Sequence, residues 1–369
     1  MFKDKTTRPD FRPPHCPNPE CRNHNALHPG WRYKKIGFYT RHTAPHRIQR
    51  FTCLTCGRSF STQTFSTTYW QKLPDLDPQL FTKTTGCMSN RQIARDLGVT
   101  PETISRHLAR LGRHCLLFHA RMMQSAPPAS QVVIDGFVTF EWSQYYPFHH
   151  HLAVEKETDF FLYYTDSEVR RSGTMTKQQK QRRQELERLH GRPDPKAVQR
   201  DVSELLDVIA GGQPGVTVYS DEHRAYPRAL RAAGIAGRHE VTSSRAHRGS
   251  RNPLWEVNLL DLLIRHSGAN HKRETIAWSK RRQGSAERLA IFLVWRNYMN
   301  GRREKRRGSR TPAMERGMAT RRLTAEEILV ERIFPSRVRL PARWRAYYER
   351  RLWTRALASN RRHGLRYAA

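Results

Sequence analysis

Acidic residues are scarce in this 369-residue chain: 33 Asp and Glu stand against 66 Lys and Arg, for a formal net charge of +33. A surface this basic calls for a polyanionic partner, either nucleic acid or an anionic membrane. Long apolar runs are missing too. No stretch approaches the roughly 18 consecutive apolar residues of a membrane-spanning helix, which argues against the membrane. The first residues, Met-Phe-Lys-Asp-Lys, carry no apolar signal core, so a cytoplasmic, nucleoid-associated protein is expected. Cysteine is sparse at six residues. In a cytosolic chain that number argues for metal ligation or free thiols and against a disulfide framework. No internal repeat is visible, and the length suits two or three domains.

Four of the cysteines form two pairs. Cys16 and Cys21 are separated by four residues, Cys53 and Cys56 by two, with a β-rich segment between the pairs. Paired thiolates brought together across a hairpin make a tetrahedral zinc site, so residues 10–70 are expected to form a zinc β-ribbon holding one structural zinc. Gly57, directly after the second pair, suits the positive φ that such a knuckle requires. His15 or His24 could substitute for one thiol as ligand. Cys87 and Cys115 have no partner at ligand spacing and read as small packing residues.

Residues 75–123 turn helical, and 90–111 fit two helices joined by a tight turn. Ile93, Ala94 and Leu97 face inward, Gly98 makes the turn, Thr100 caps the second helix and Pro101 occupies its first position. Thr103, Ser105 and Arg106 then lie near the end that enters a major groove, while Arg106, His107, Arg110 and Arg113 are positioned to hold phosphates. The alternative is an ordinary helical hairpin with a solvated basic face.

The segment Gln-Ser-Ala-Pro-Pro-Ala-Ser at 124–130 reads as a linker. Strands are expected at 132–142, 149–155 and 160–165, with a hairpin turn at 156–159. Residues 173–200 are strongly basic, an inserted exposed helix or a disordered arm. A helix is expected at 202–210. Asp135 ends one apolar run and Asp221 another, and an Asp at the end of a buried strand is costly unless it has a role. Glu256 opens a helical pattern in which Leu259, Leu260 and Leu263 are expected to pack inward, with Asn258 and Arg265 near a substrate phosphate. Two carboxylates at strand ends plus one on a helix supply the hard oxygen ligands of two magnesium or manganese ions about 3.5–4 Å apart. Glu287, Asp261 and Glu274 compete with Glu256 for the third position. Beyond residue 300 the chain is rich in Arg and is expected to be a basic, partly helical region or a disordered arm. Its Trp344, Tyr347, Tyr348 and Trp353 serve either as core or as platforms for unpaired bases.

The order of paired cysteines, helix-turn-helix, Asp135, Asp221 and Glu256 resembles that of bacterial insertion-sequence transposases of the DDE class. The segment from Trp255 to Arg265, followed by Arg273 to Lys280, resembles the third-acid region of the "insertion sequence one" type, and the block Ser220 to Tyr226 resembles its second-acid block. The resemblance covers residues 10–300. It implies a multidomain chain: zinc ribbon (10–70), helix-turn-helix (75–123), an α/β ribonuclease H-like catalytic domain (130–300) and an Arg-rich region (301–369). It further implies that Asp135, Asp221 and Glu256 bind magnesium, with Arg265 or Lys272 as the basic residue behind them. The implied activity is cleavage of 3′ strands at terminal inverted repeats and their joining to target DNA, by at least a dimer. A DNA-binding regulator without enzymatic activity and a stand-alone nuclease are the rival readings. The basic insert at 173–200 and the region after 300 depart from the pattern.

Overall fold

The computed structural model describes residues 11–25, 30–210, 212–303 and 305–357. The chain is mixed α/β with two sheets. In the first sheet β1 (Tyr33–Thr40), β2 (Arg47–Cys53) and β3 (Ser59–Ser61) pair antiparallel in that order. Its small core joins the buried cysteines to Phe51, Phe60 and Phe65, and it is completed by Phe334 from the far end of the chain.

Three helices follow: α1 (Leu76–Thr85), α2 (Asn90–Asp96) and α3 (Pro101–Met123). The turn between α2 and α3 forms as its sequence predicts. Gly98 adopts φ +64°, the Val99 amide donates to Ala94, and the Thr100 side chain accepts from the Thr103 amide. α3 does not stop after the turn motif. It runs for 23 residues, and its second half, including Leu111, Cys115, Leu116 and Phe118, is buried. Gly112 makes this packing possible, because a Cβ there would lie 2.6 Å from the Glu287 carbonyl oxygen.

The second sheet has the order β6-β5-β4-β7-β8. Its strands are β4 (Gln131–Phe140), β5 (Pro147–Glu155), β6 (Phe161–Glu168), β7 (Thr217–Ser220) and β8 (Arg238–Val241). β4, β5 and β6 are antiparallel neighbours; β7 lies parallel to β4, and β8 parallel to β7. The hairpin expected at 156–159 joins β5 to β6. Between β6 and β7 come α4 (Lys177–His190), which buries no residue, and the amphipathic α5 (Ala197–Ala210). The basic insert is thus an exposed helix, tied down where Arg170 grips Glu187 with two hydrogen bonds of 2.7 and 2.9 Å. α6 (Tyr226–Ala232) links β7 to β8, and α7 (Trp255–Ser267) and α8 (Arg282–Val294) follow. α8 continues into a π-helical turn whose Asn297 accepts from the Phe161 amide and donates to its carbonyl. That contact covers backbone groups on the free edge of β6.

Two expectations are corrected. The segment at 124–130 is no loose tether: Ala129 is buried and the Pro127 carbonyl accepts from Arg316. The region after 300 is not a disordered arm over its described part. α9 (Pro312–Glu315), α10 (Ala325–Ile328) and α11 (Ala342–Tyr348) pack on the rest of the molecule. Trp344, Tyr347 and Tyr348 are among its most buried side chains, so they are core; only Trp353 is substantially exposed. One apolar core accordingly runs from Leu80 on α1 through both faces of the second sheet to Leu352. The helical segment, the α/β part and the C-terminal segment share it, because α3 is too long and too apolar in its second half to belong to one part alone. Among the described residues, no helix is long and apolar enough to cross a membrane.

Candidate active site and metal-ligand cluster

β4 and β7 run parallel, with Val133 opposite Tyr219. Two residues further along, Asp135 within β4 stands level with Asp221, the residue that follows the end of β7. Asp135 lies inside β4 and its Oδ1 accepts from the Gly136 amide at 2.7 Å. Burial raises its pKa to about 7; the charges of Asp221 and Asp261 push the same way, and only the Gly136 amide and Arg248 oppose them. Tyr226, buried beneath, feels both Asp135 and Asp221. The Asp221 carboxylate accepts from the His223 amide at 3.0 Å. His149 on β5 is held neutral, its pKa lowered to about 4 by burial and by His223.

Glu256 does not join this pair. It sits in the first turn of α7, with its carboxylate 3.5 Å from Lys156 Nζ. Lys156 Nζ also donates to the Pro253 carbonyl at 2.7 Å and lies 4.4 Å over the Tyr219 ring. Burial raises the Glu256 pKa, and of the other carboxylates it is Asp159, not Asp135 or Asp221, that adds to the shift. Asp261 is the acid of α7 whose charge acts on Asp135. Val257, Leu260 and Ile264 form the buried face of the helix, and Asp261 lies one turn beyond Val257 on that side. Arg265 fixes it in place. Arg265 Nε donates to both Asp261 oxygens at 3.0 and 3.2 Å, its other nitrogens reach the carbonyls of His271 and Val138, and its guanidinium lies 5.1 Å from the Phe137 ring. Leu260 packs inward as expected, whereas Leu259 and Leu263 are only half-buried.

The rivals for the third position fall away on placement. Glu287 is buried between α3 and α8, bound by Gln283 and ion-paired to Arg350 at 2.9 Å. Glu274 is exposed in the loop after α7.

The basic residues also divide. Ser105 and Arg106 are exposed at the start of α3 and Thr103 is half-buried there. Ser105 accepts from Asn90 at 2.9 Å and Arg106 pairs with Glu102. Lys272 is exposed. Arg110 is half-buried and, with Arg113, lines a pocket. Arg265 is committed to Asp261.

In the first sheet, one sulfur from each of Cys16, Cys21, Cys53 and Cys56 lies within 4.8 Å of the others, an arrangement that can hold a zinc ion. Three of the thiols are buried and Cys56 is exposed. The Trp31 indole N–H donates to Cys53 Sγ at 3.3 Å, a contact suited to a thiolate. His15 and His24 are not in the cluster. Both direct a ring nitrogen to the Cys16 carbonyl, and His24 binds Ser336 through the other. Cys115 is a buried packing residue, as expected. Among the described residues, no other group of three or more potential ligands is gathered this closely; the three aspartates stand further apart than the thiols.

No protein-family model matches the chain, and no curated protein matches it. Among solved structures, a chain of the cryoEM structure of the simian T-cell lymphotropic virus intasome in complex with PP2A regulatory subunit B56 gamma aligns with 64% of this chain and 70% of its own length. The identity is 13% and the TM-score 0.24, a likeness too weak to carry an argument.

Proposed function

We propose that this chain is a metal-dependent DNA-cleaving and DNA-joining enzyme of the transposase type, acting through Asp135, Asp221 and Asp261. The observation that carries the reading is half-buried Asp135 on β4, level with Asp221 just past the end of the parallel β7, with the charges of Asp221 and of Asp261 on α7 both acting on it. Gathering like charges at a half-buried site raises the free energy of the metal-free protein, and a divalent cation is what relieves it. The mixed sheet, three antiparallel strands followed by two parallel ones, supports a ribonuclease H-like core.

Magnesium or manganese held by the triad would supply Lewis acidity and a water of lowered pKa. The protein's own contribution is position. The rigid β4 backbone holds Asp135, and Arg265 holds Asp261, so the ligands are ordered before substrate arrives. In the first step a water oxygen bonds to phosphorus and the bond to the 3′ oxygen breaks, leaving a 3′-hydroxyl. In the second, that hydroxyl oxygen attacks a target phosphodiester and displaces another 3′ oxygen. Arg248, whose charge acts on Asp135, and the exposed Arg251 and Lys272 on the loops before and after α7 are suited to the phosphates of both strands. Beyond the end of β4, Trp142 is half-exposed, and Lys280 lies 3.4 Å over the Trp278 ring, a surface suited to nucleic acid. The exposed start of α3 would read element ends, and the thiol-lined sheet would bind one zinc and add basic surface. Joining two ends requires at least two copies of the chain.

The test is strand cleavage and strand transfer on labelled element ends with magnesium or manganese. Asp135→Asn, Asp221→Asn and Asp261→Asn should abolish both steps while leaving duplex binding intact, and Glu256→Gln should retain activity. Loss of activity in Glu256→Gln with Asp261→Asn active would return the third position to Glu256. Tight binding without cleavage in any metal would leave a DNA-binding regulator.

A further inference from the structure

A second charged site lies well away from the aspartates. It is a cavity of about 40 Å³ where α1, the middle of α3, the segment after α10 and the end of α11 meet. Three guanidinium groups converge on it: Arg110 and Arg113 from α3, and Arg332. Asp77, His114 and Tyr348 complete the polar wall. Arg113 is 5% exposed, and its Nη1 is buried with no hydrogen-bond partner; Arg332 Nη2 is in the same state. The remaining contacts fix both side chains. Arg113 Nε donates to the Ala109 carbonyl at 3.3 Å, and Arg332 Nη1 to the Thr64 carbonyl at 3.1 Å, with the Arg332 guanidinium held 4.8 Å from the Tyr69 ring centre and 5.0 Å from that of Phe334.

No carboxylate in the wall forms an ion pair with the three arginines. Asp77 is the one carboxylate there, and both its oxygens are engaged elsewhere, at 2.7 Å from His107 and 2.6 Å from Gln71. Among the described residues, none of the three arginines lies within ion-pair distance of a carboxylate. Burial lowers the pKa of Arg113 and Arg332 only to about 10, so both stay charged at neutral pH, while His114 is neutral with a pKa near 4. Unpaired buried N–H groups are costly, and unpaired buried charges more so. A cavity needs roughly 10–15 Å³ to hold one water, so this one has room for a small anion. Guanidinium forks match the edges of a tetrahedral oxyanion.

We propose that this cavity is a phosphate-group site, filled by free inorganic phosphate or by a backbone phosphate of bound nucleic acid. Arg106, Arg110 and Arg113 follow one another along one side of α3, so the row of guanidiniums leads from the exposed start of the helix into the cavity. A phosphate there ties the helix-turn-helix segment to the C-terminal segment.

The test uses the full-length, zinc-loaded chain in chloride-free buffer. Sodium phosphate, and sodium chloride at matched ionic strength, are titrated by calorimetry and thermal denaturation into wild type, Arg110→Gln, Arg332→Gln, Arg332→Lys and the surface control Arg121→Gln. Zinc content and near-ultraviolet circular dichroism establish that each variant is folded. Saturable one-to-one phosphate binding that is at least tenfold weaker in Arg110→Gln and Arg332→Gln, and unchanged in Arg121→Gln, is the expected result; Arg332→Lys should retain part of it. The source is read by adding a short duplex. Competition between duplex and phosphate assigns the site to the nucleic-acid backbone, and undiminished phosphate binding to the complex assigns it to the free ion. Chloride binding as well as phosphate, or no saturable phosphate binding together with unchanged duplex affinity in Arg110→Gln, would overturn the proposal.

Discussion

Replacing Asp135 with Asn should stabilise the metal-free protein, and should do so increasingly as pH rises. The Asp135 carboxyl titrates near 7 in the fold against an ordinary value of 3.8, because it is buried beside Asp221 and Asp261 with only Arg248 and the Gly136 amide in opposition. A raised carboxyl pKa means that the native state holds the proton more tightly than the unfolded chain. Between pH 3.8 and 7 the native state binds more protons, so its stability falls as pH rises through that window and levels off above it. Three pH units at roughly 1.4 kcal/mol each give an upper bound of about 4 kcal/mol, and solvent access at a half-buried side chain brings this nearer to about 2 kcal/mol. Asn carries no charge and keeps an oxygen for the Gly136 amide. Urea denaturation without added divalent ions should therefore show the Asn variant about equal to wild type at pH 4 and about 2 kcal/mol more stable at pH 8. Magnesium should close the gap at pH 8 by stabilising wild type alone. A variant no more stable than wild type at pH 8, or one with the same gain at both pH values, would refute the account of the site as a strained gathering of carboxylates.

Three further outcomes are expected. Asp261→Asn should lower the strand-cleavage rate by about 100-fold or more, whereas Glu256→Gln should change it little, measured as single-turnover cleavage. Cys56→Ser should lose the bound metal, read by elemental analysis, and unfold the first sheet, since zinc contributes on the order of 10 kcal/mol in such modules. Protease sensitivity should then appear around Phe334 as well, because that side chain lies in the same small core. Trp344→Ala should cost about 3–5 kcal/mol in urea denaturation, as expected of a fully buried aromatic; a cost below about 1 kcal/mol would mean that the C-terminal segment is not part of the core.

The strands were legible because β4 and β7 are rich in apolar and β-branched residues, and Asp221 does follow the end of β7, but Asp135, expected at a strand end, lies inside β4, whose apolar pattern continues to Phe140. The α2–α3 turn was legible for a similar reason: Gly98, Thr100 and Pro101 each have one local task. The third acid needed the rotation of a helix against a sheet, and Glu256 and Asp261 differ by five residues on a helix whose register only the packed structure fixes. The helical stretch to 123 was legible as well, but not the role of Gly112, which in the fold marks a close approach of α3 to α8. The folded C-terminal segment was masked by composition. Its many arginines suggest an arm, yet Arg343 pairs with Asp201 and Glu204, and Arg355 with Glu168. Those guanidiniums are held inside the molecule by the carboxylates of other segments.

The unbroken length of α3 bears on how the proposed enzyme would measure DNA. Twenty-three residues at 1.5 Å each make a rod of roughly 35 Å, with one end at the exposed turn and the other seated beneath the sheet that carries Asp135. A rod has no slack. The offset between the sequence gripped at one end and the bond presented to the carboxylates is then a dimension of the protein itself, and it changes only if the helix is lengthened, shortened or broken.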